Sequence, residues 1–162
     1  MKHLEKIKNK IFEIDDLLIK INRWKDLGYN IVFTNGCFDI IHKGHIQTLS
    51  SSADLGDKLI VAINSDSSIK KLKGKTRPIM DQKNRTTLIA SLAFVDAVIL
   101  FNEQTPKKLI KQIIPDILTK GGDYKKEKVV GFKEVDEHGG EVVIIPLIEG
   151  LSSTNIINKI NG

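Results

Sequence analysis

The chain has 162 residues, 41% of them hydrophobic and 28% charged, with a formal net charge of +5, which predicts one globular domain with a substantial core. No apolar run approaches the roughly 18–20 residues of a membrane span, and the opening residues MKHLEKIKNKIF lack the apolar core of a signal peptide, so we expect no membrane partner. The single cysteine, Cys37, excludes an internal disulfide and predicts a cytoplasmic location, and the modest excess of lysine permits an anionic ligand without requiring nucleic acid.

Apolar spacing and turn residues predict an alternation of helices and strands. In chain order we expect helices over 3–12 and 15–27, a strand over 30–34, a helix over 44–55, a strand over 58–64 and a helix over 66–71. After a basic loop over 72–80 we expect a helix from the cap Asp81 to 93, a strand over 97–101, a helix from Pro106 to 114 and a strand over 117–119. A weakly helical segment over 126–137, a strand over 141–146 and a helix over 153–160 follow.

The predicted strands are continuous apolar runs separated by helices. Such runs indicate a parallel sheet that is covered by helices on both faces. We therefore predict a doubly wound, Rossmann-like α/β fold whose ligand crevice lies at the carboxyl ends of the strands. Residues 1–28 are expected to form an N-terminal helical extension, and 29–162 the main domain.

The segment TNGCFDIIHKGH, residues 34–45, joins the strand over 30–34 to the following helix. Gly36 allows a tight turn, and Gly44 allows the backbone to approach a ligand closely. His42 and His45 are three residues apart, so they share one side of the first helical turn. Free backbone N–H groups at a helix start bind phosphate, and two imidazoles beside them can stabilise charge that develops during phosphoryl transfer. The segment therefore predicts a phosphate-transfer site.

This segment resembles the H-x-G-H signature of the nucleotidyltransferase superfamily of cytidylyltransferases and their relatives. With four further segments it resembles, more specifically, the adenylyltransferase domain of ADP-heptose synthesis, over about residues 24–160. The five segments are TNGCFDIIHKGH, GDKLIVAINSD, LKGKTRP, PDILTKGGDY and GGEVVIIPLIEGLSSTNII. In many bacteria that domain is fused to a sugar kinase, and we expect a stand-alone version here.

The resemblance implies a nucleotidyltransferase domain over 29–162. It would transfer AMP from ATP to D-glycero-β-D-manno-heptose 1-phosphate and release pyrophosphate by direct in-line attack, without a covalent intermediate. The resemblance also implies that Mg²⁺ accompanies ATP and that the protein is a homodimer. His42, His45, Lys73 and Arg77 would be the catalytic residues, with the two basic side chains on phosphate oxygens.

The resemblance also places the turn after the strand over 30–34 along the triphosphate, with five residues in contact: Asn35, Gly36, Cys37, Phe38 and Asp39. Cys37 would be a backbone donor and small filler rather than a nucleophile. For Asp39, two roles stay open: it orients the loop or the first histidine, or it caps the turn.

Other positions near the strand ends are implied to contact nucleotide. Asn64 and Asp66 would lie near the nucleoside, although Asp66 also suits a helix cap. Gly122 and Asp123 would admit ligand, or form a plain turn. Ser152, Ser153 and Thr154 would meet the triphosphate, or form an ordinary N-cap. The family more often has Ser-Thr-Thr or Ser-Thr-Ser here, so the alignment of these three residues with the family signature is open by one residue.

Two other functions compete with this prediction. The first is cytidylyl transfer to glycerol 3-phosphate or a similar small alcohol phosphate, which uses the same H-x-G-H chemistry. The second is a non-catalytic nucleotide sensor or a nucleic-acid-binding domain. The second is disfavoured because the sequence has only nine aromatic residues and no basic tract interleaved with them.

Overall fold

The computed structural model describes residues 2–148, 150–160 and 162. Within these residues a six-stranded sheet is covered by helices on both faces. Its strands are β1 (Ile11–Phe12), β2 (Ile31–Gly36), β3 (Lys58–Asn64), β4 (Ala97–Phe101), β5 (Ile117–Gly121) and β6 (Glu141–Ile145). The helices are α1 (Lys2–Lys8), α2 (Ile14–Asp26), α3 (Lys43–Ala53), α4 (Asp66–Lys73), α5 (Gln82–Ser91), α6 (Lys107–Ile113), α7 (Phe132–Asp136) and α8 (Ser153–Ile160). A single 3₁₀ turn (Lys126–Lys128) precedes α7.

The sheet is parallel at every pairing between the described strands, in the order β1-β4-β3-β2-β5-β6. From β2 the chain runs outward through β3 to β4, and then continues on the other side of β2 with β5 and β6. The order therefore reverses between β2 and β5, and in such sheets the crevice above this reversal binds ligands. The predicted doubly wound, Rossmann-like α/β fold is confirmed.

Alternate residues of the strands pack into two separate hydrophobic cores. On β2, Ile31 and Phe33 join the core under α2 and α6, whereas Val32 joins the core under α3 and α5. The same alternation holds along β3, where Ile60 points to the first core and Val61 to the second. Because successive strand side chains face opposite sides, a continuous apolar run serves both cores, which is why these strands read as unbroken apolar segments.

The N-terminal segment differs from its prediction. The helix predicted over 3–12 ends at Lys8, and Ile11 and Phe12 form the edge strand β1, which pairs with β4. The prediction failed because Ile7 and Ile11, which both pack against the same core, have the spacing of a helix face. The parallel pairing with Val98 determines the conformation instead. Residues 2–28 thus contribute a strand to the main sheet as well as helices.

Other boundaries shift by small amounts. β2 and β5 each extend to a glycine, two residues beyond the predicted strand end, and α6 begins at Lys107 with Pro106 as its N-cap. The segment predicted as weakly helical over 126–137 divides into the 3₁₀ turn and the short α7. Asp81 caps α5 as predicted, accepting a hydrogen bond from the Asn84 N–H at 2.8 Å. None of the described helices has the length and apolarity needed to cross a membrane.

Candidate active site

The turn after β2 brings the aromatic ring of Phe38 back over the strand end. Phe38 has a positive φ of 48°, and a Cβ on Gly36 would lie 2.9 Å from its ring. Only glycine avoids this overlap, so the close approach explains Gly36. The Phe38 ring in turn packs edge-on against the imidazole of His45, with 5.3 Å between centroids. The turn and the start of α3 therefore form one packed unit.

The two histidines of the H-x-G-H segment lie side by side at the start of α3. His42 is the N-cap residue of this helix. Its ring stacks on that of His45 with 3.9 Å between centroids and 25° between planes. A Cβ on Gly44 would lie 3.0 Å from the His42 ring, so the glycine leaves the space that this ring occupies. The structure brings the two imidazoles together as their spacing predicted.

Both imidazoles are poorly solvated. The Nδ1 atoms of His42 and His45 are buried and have no hydrogen-bond partner among the described residues. Burial lowers the pKa of His42 below its ordinary value. Burial also lowers the pKa of His45 to about 4, and the nearby charges of His42 and Lys73 add to this effect. At neutral pH each ring is therefore uncharged and carries one N–H donor.

A cavity of about 600 Å³ opens beside His45 at the carboxyl ends of β2, β3 and β5, whereas His42, which stacks on His45, does not line it. His45 lines it, together with Lys73, Lys120 and Lys128. Among the described residues that line the cavity there is no carboxylate. Three lysines without a balancing acid produce a positive potential, which favours an anionic ligand. The turn residues Asn35, Gly36, Cys37 and Phe38 form part of the same wall.

Asp39 and Arg77 form a buried ion pair behind this wall. Arg77 Nε donates to Asp39 Oδ2 at 2.6 Å, and the N–H groups of Ile79 and Met80 donate to the same carboxylate. Burial alone would raise the pKa of Asp39, but these N–H groups and the Arg77 guanidinium hold it below its ordinary value. Asp39 thus fastens the loop before α5 to the site turn. Arg77 does not line the cavity, although its Nη2 is buried without a partner among the described residues.

Two of the predicted nucleoside contacts have different surroundings. Asn64 lines the cavity, and its Nδ2 donates to Ser68 Oγ at 3.0 Å. Asp66 lies outside the cavity lining and pairs with Arg85 at 2.8 Å. The N-cap of α4 is Ser65, whose hydroxyl accepts from the Ser68 N–H. The capping role considered for Asp66 therefore belongs to its neighbour.

Arg85 is a structural residue of the site that the sequence motifs did not include. Its side chain is fully buried, and its guanidinium donates to Met80 O at 3.0 Å, Cys37 O at 2.6 Å and Asp66 Oδ1 at 2.8 Å. It therefore connects the site turn to the starts of α4 and α5. The only sequence signal was position, since Arg85 lies one helical turn before the buried Ile89.

Cys37 is half-buried and lines the cavity. Its Sγ lies 3.9 Å from Asn64 Oδ1, and its carbonyl is held by Arg85. No described histidine forms a hydrogen bond to its sulfur. These contacts suit the predicted small filler rather than a nucleophile, which requires an adjacent base.

The end of β5 contributes to the cavity through residues other than those predicted. Lys120, Gly121 and Tyr124 line the cavity, whereas Gly122 and the exposed Asp123 do not. Gly122 has a φ of 140°, and a Cβ there would lie 2.3 Å from the Tyr124 ring. Glycine is needed at this position for the turn and for the packing of Tyr124. The sequence signal that was missed is a lysine at the carboxyl end of a central strand.

The start of α8 packs against the H-x-G-H segment. Ser153 Oγ donates to Ile40 O at 3.1 Å, and the Leu151 side chain lies 3.6 Å from the Cβ position of Gly44. Ser152 Oγ accepts from the Asn155 N–H, which is an N-cap contact, and Thr154 is exposed. Ser153 thus contacts the segment just before the histidines, and none of the three residues lines the cavity.

Comparisons with known proteins identify the family. A family model described as Cytidylyltransferase-like matches residues 33–159. The chain is 50% identical over 150 residues to the Bifunctional protein HldE of Histophilus somni, covering 93% of this chain and 32% of that protein. It is 53% identical over 136 residues to the protein of that name from Haemophilus influenzae strain Rd, covering 84% of this chain and 29% of that protein. The chain thus spans about a third of the length of these curated relatives.

Solved structures agree with this assignment. The lipopolysaccharide core biosynthesis protein from Thermoplasma volcanium is 34% identical, with a TM-score of 0.61, over 75% of this chain and 98% of that chain. The pantoate-beta-alanine ligase from Francisella tularensis shares the fold. It is 17% identical, with a TM-score of 0.62, over 93% of this chain and 77% of that chain. The predicted resemblance is confirmed: the chain belongs to the cytidylyltransferase-like family of nucleotidyltransferases.

Proposed function

We propose that this domain transfers AMP from ATP to D-glycero-β-D-manno-heptose 1-phosphate, giving ADP-heptose and pyrophosphate. The observation that carries the proposal is the stacked, uncharged pair His42 and His45, of which His45 lines a cavity whose charged residues, among those described, are all basic apart from this histidine. The five segments that resemble the adenylyltransferase of ADP-heptose synthesis support the choice of substrates. The relatives named Bifunctional protein HldE and the lipopolysaccharide core biosynthesis protein also support it.

The reaction is a direct displacement. An oxygen of the sugar phosphate forms a bond to the α-phosphorus of ATP, and the bond from that phosphorus to the bridging oxygen breaks, with the electron pair leaving on pyrophosphate. A phosphate monoester has a second pKa of about 6, so the attacking oxygen is already anionic at neutral pH. No general base is needed, and catalysis depends on position and on stabilisation of charge.

The residues of the site divide these tasks. The N–H groups of His42 and His45 donate to the α-phosphate oxygens, where charge grows in the transition state. Lys73 neutralises charge on the departing pyrophosphate. Arg77 contacts a phosphate oxygen only after its guanidinium turns toward the cavity, because its side chain does not line the cavity and its Nη2 is buried without a partner among the described residues.

Other residues complete the nucleotide site. Backbone N–H groups of the turn after β2 and of the start of α8 face the triphosphate, and polar groups beyond β3 and β5 face the nucleoside. Of these proposed contacts, five line the cavity: Asn35, Gly36, Cys37, Phe38 and Asn64. The others lie outside its lining and are proposed from the resemblance alone: Asp39, Gly44, Asp66, Gly122, Asp123, Ser152, Ser153 and Thr154.

Mg²⁺ fits this site as a companion of the nucleotide. Among residues 2–148, 150–160 and 162, no group of three or more His, Cys, Asp or Glu side chains is placed to hold a metal ion. The cavity lining offers hydroxyl and amide oxygens, such as those of Thr48 and Asn64, rather than carboxylates. Mg²⁺ commonly keeps water and phosphate ligands, and these side chains would hydrogen-bond its waters. When bound, the ion would neutralise charge on the phosphates.

Pyrophosphate release tests the proposal. The purified protein is incubated with each of the four nucleoside triphosphates and with either D-glycero-β-D-manno-heptose 1-phosphate or glycerol 3-phosphate. We expect release with ATP and the heptose phosphate. Release only with CTP and glycerol 3-phosphate would replace this function by the cytidylyltransferase alternative. ATP binding without release for any acceptor would support a nucleotide sensor.

The histidine pair supplies the sharpest test of the mechanism. His42→Ala and His45→Ala are each expected to lower kcat by about 100-fold or more, the effect of removing one donor from other oxyanion sites. The loss should fall on kcat rather than mainly on KM. Near-normal kcat in both variants, with circular dichroism showing native folding, would exclude the two imidazoles as donors to the α-phosphate.

A homodimer and a cytoplasmic location also belong to this proposal. The dimer rests on the resemblance, and the location on the single cysteine and the absence of a membrane-spanning helix among the described residues. Sedimentation equilibrium measures the first and cell fractionation the second. A monomer at micromolar concentration, or recovery in the membrane fraction, would contradict them.

A further inference from the structure

Lys120 is a partly buried cation to which the nucleotide-binding motifs assign no role. It is the penultimate residue of β5 and lines the same cavity as His45. Burial lowers the pKa of its ammonium group below the ordinary value; the neighbouring Cys37 opposes this effect, and the positive charge of Lys73 adds to it. The fold thus holds this charge in a poorly solvated position.

The ammonium of Lys120 has no hydrogen-bond or ion-pair partner among the described residues. Lysines elsewhere on the described surface do pair with carboxylates: Lys58, Lys107, Lys108, Lys111 and Lys126. A charge that is removed from water without a counter-charge is unfavourable, and an anionic ligand would offset this cost. The position of Lys120 therefore favours ligand binding over a structural role.

The backbone next to Lys120 is held firmly at the reversal point of the sheet. Thr34 Oγ1 on β2 donates to Thr119 O at 3.2 Å, and the hydroxyls of Ser52 and Thr119 lie 2.8 Å apart. These buried contacts fix β5 against β2 and α3. Lys120 therefore extends from a rigid strand end, and a ligand group bound there would be well positioned.

Lys120 and Lys73 belong to different walls of the cavity. Lys73 ends α4, which follows β3 on one side of β2, whereas Lys120 lies near the end of β5 on the other side. In-line displacement needs the attacking and leaving oxygens on opposite sides of the α-phosphorus. Two cations that reach the cavity from different sides of β2 match the two charged groups that this geometry separates, namely the acceptor phosphate and pyrophosphate.

We propose that Lys120 binds the phosphate of the acceptor, so that the sugar phosphate enters from the β5 side while the nucleotide occupies the β3 side. This inference rests on the proposed function. Lys120 forms no covalent bond and keeps its proton. It holds the acceptor phosphate in place during the displacement. One oxygen of that phosphate forms a bond to the α-phosphorus of ATP, and the bond from the α-phosphorus to the bridging oxygen breaks, with its electron pair leaving on pyrophosphate.

The test is Lys120→Met, which keeps the approximate length of the side chain and removes the charge. Steady-state kinetics with saturating ATP should show the KM for the heptose phosphate raised by about 10- to 100-fold, the effect of losing one charge-assisted hydrogen bond. The KM for ATP should change less than about threefold, because ATP does not contact this residue. Lys120→Arg should recover part of the loss. Lys125→Met, which removes an exposed lysine that does not line the cavity, is the matched control and should resemble the wild type.

Two outcomes would overturn the inference. An unchanged KM for the sugar phosphate would mean that Lys120 does not bind it, and a loss that falls mainly on ATP would move Lys120 to the nucleotide. Calorimetric binding of the heptose phosphate, with a non-hydrolysable ATP analogue present, separates this result from failure of the proposed function. Binding that depends on Lys120 without turnover would refute only the proposed function, and no binding by the wild type would refute both.

Discussion

Replacing Arg85 by methionine tests whether a buried guanidinium holds the site turn in place. The Arg85 side chain has 0% relative exposure. It donates to the carbonyl oxygens of Met80 and Cys37 and to the carboxylate of Asp66, over distances between 2.6 and 3.0 Å. Methionine fills a similar volume but donates no hydrogen bond. The substitution therefore removes three contacts while leaving little empty space.

The expected loss of stability follows from the three acceptors. Each carbonyl oxygen that loses its donor in a buried position costs about 1–3 kcal/mol. The Asp66 side chain is 30% exposed, so water can replace much of its contact with Arg85, and we assign it at most about 1 kcal/mol. Together the three contacts predict that the free energy of unfolding falls by about 2–7 kcal/mol in Arg85→Met.

Urea unfolding at pH 7, followed by circular dichroism, measures this loss. Arg85→Lys keeps a charge but has a single donor nitrogen, so its loss should be smaller. Arg23→Met, which replaces an exposed arginine on α2, is the control and should change stability by less than about 0.5 kcal/mol. A loss below about 1 kcal/mol in Arg85→Met, with an unchanged denaturant slope, would refute the reasoning. It would mean that the three acceptors find other donors.

Two further predictions concern the histidine pair. By NMR, in which only four histidines contribute, His45 should titrate near its lowered pKa of about 4 rather than at 6.5. Between pH 6.5 and 4 the unfolded chain protonates His45 more readily than the folded protein does, so the free energy of unfolding should fall as the pH drops through this range. The fall should be smaller in His45→Gln. An equal fall in the wild type and the variant would contradict the argument that burial lowers the pKa of His45. Gly44→Ala places a Cβ 3.0 Å from the His42 ring. We expect kcat to fall about 10-fold or more with little change in the KM for ATP, and an unchanged kcat would show that the His42 position is not critical.

The central sheet could be predicted because its signals are local. Continuous apolar runs separated by helices specify buried parallel strands, and the runs at 58–64 and 97–101 coincide with β3 and β4. The pairing of the two imidazoles was also predictable, because a spacing of three residues at a helix start fixes their relative position. Neither inference needed information from distant parts of the chain.

The edge strand β1 was missed because its conformation depends on a distant partner. Ile7 and Ile11 have helical spacing, and two residues are too few to show a strand pattern. The Val98 N–H donates to Lys10 O at 2.7 Å, and this contact with β4 fixes the extended conformation. Tertiary pairing outweighs local preference here.

The partners of charged side chains were unpredictable for a similar reason. The sequence shows Arg77 in a basic loop, but not that its guanidinium turns to Asp39, which lies 38 residues earlier. The link from Arg85 to the Cys37 carbonyl spans 48 residues. The same limit applies to Lys120, since a strand pattern does not show which strand ends share a crevice. Such contacts depend on the order of strands in the sheet.

The charges of the site and the chemistry of its histidines follow from one arrangement. The basic cavity lining attracts a triphosphate, and the positive charge of Lys73 adds to the burial that lowers the pKa of His45. The imidazoles are therefore uncharged before an anion binds and add no repulsion to the group of cations. Fixed lysines supply attraction that depends little on direction, whereas each stacked imidazole supplies a directed N–H. Because charge on the α-phosphate grows in the transition state, loss of a histidine should appear mainly in turnover. Loss of Lys120, which holds the phosphate of the acceptor, should appear mainly in binding.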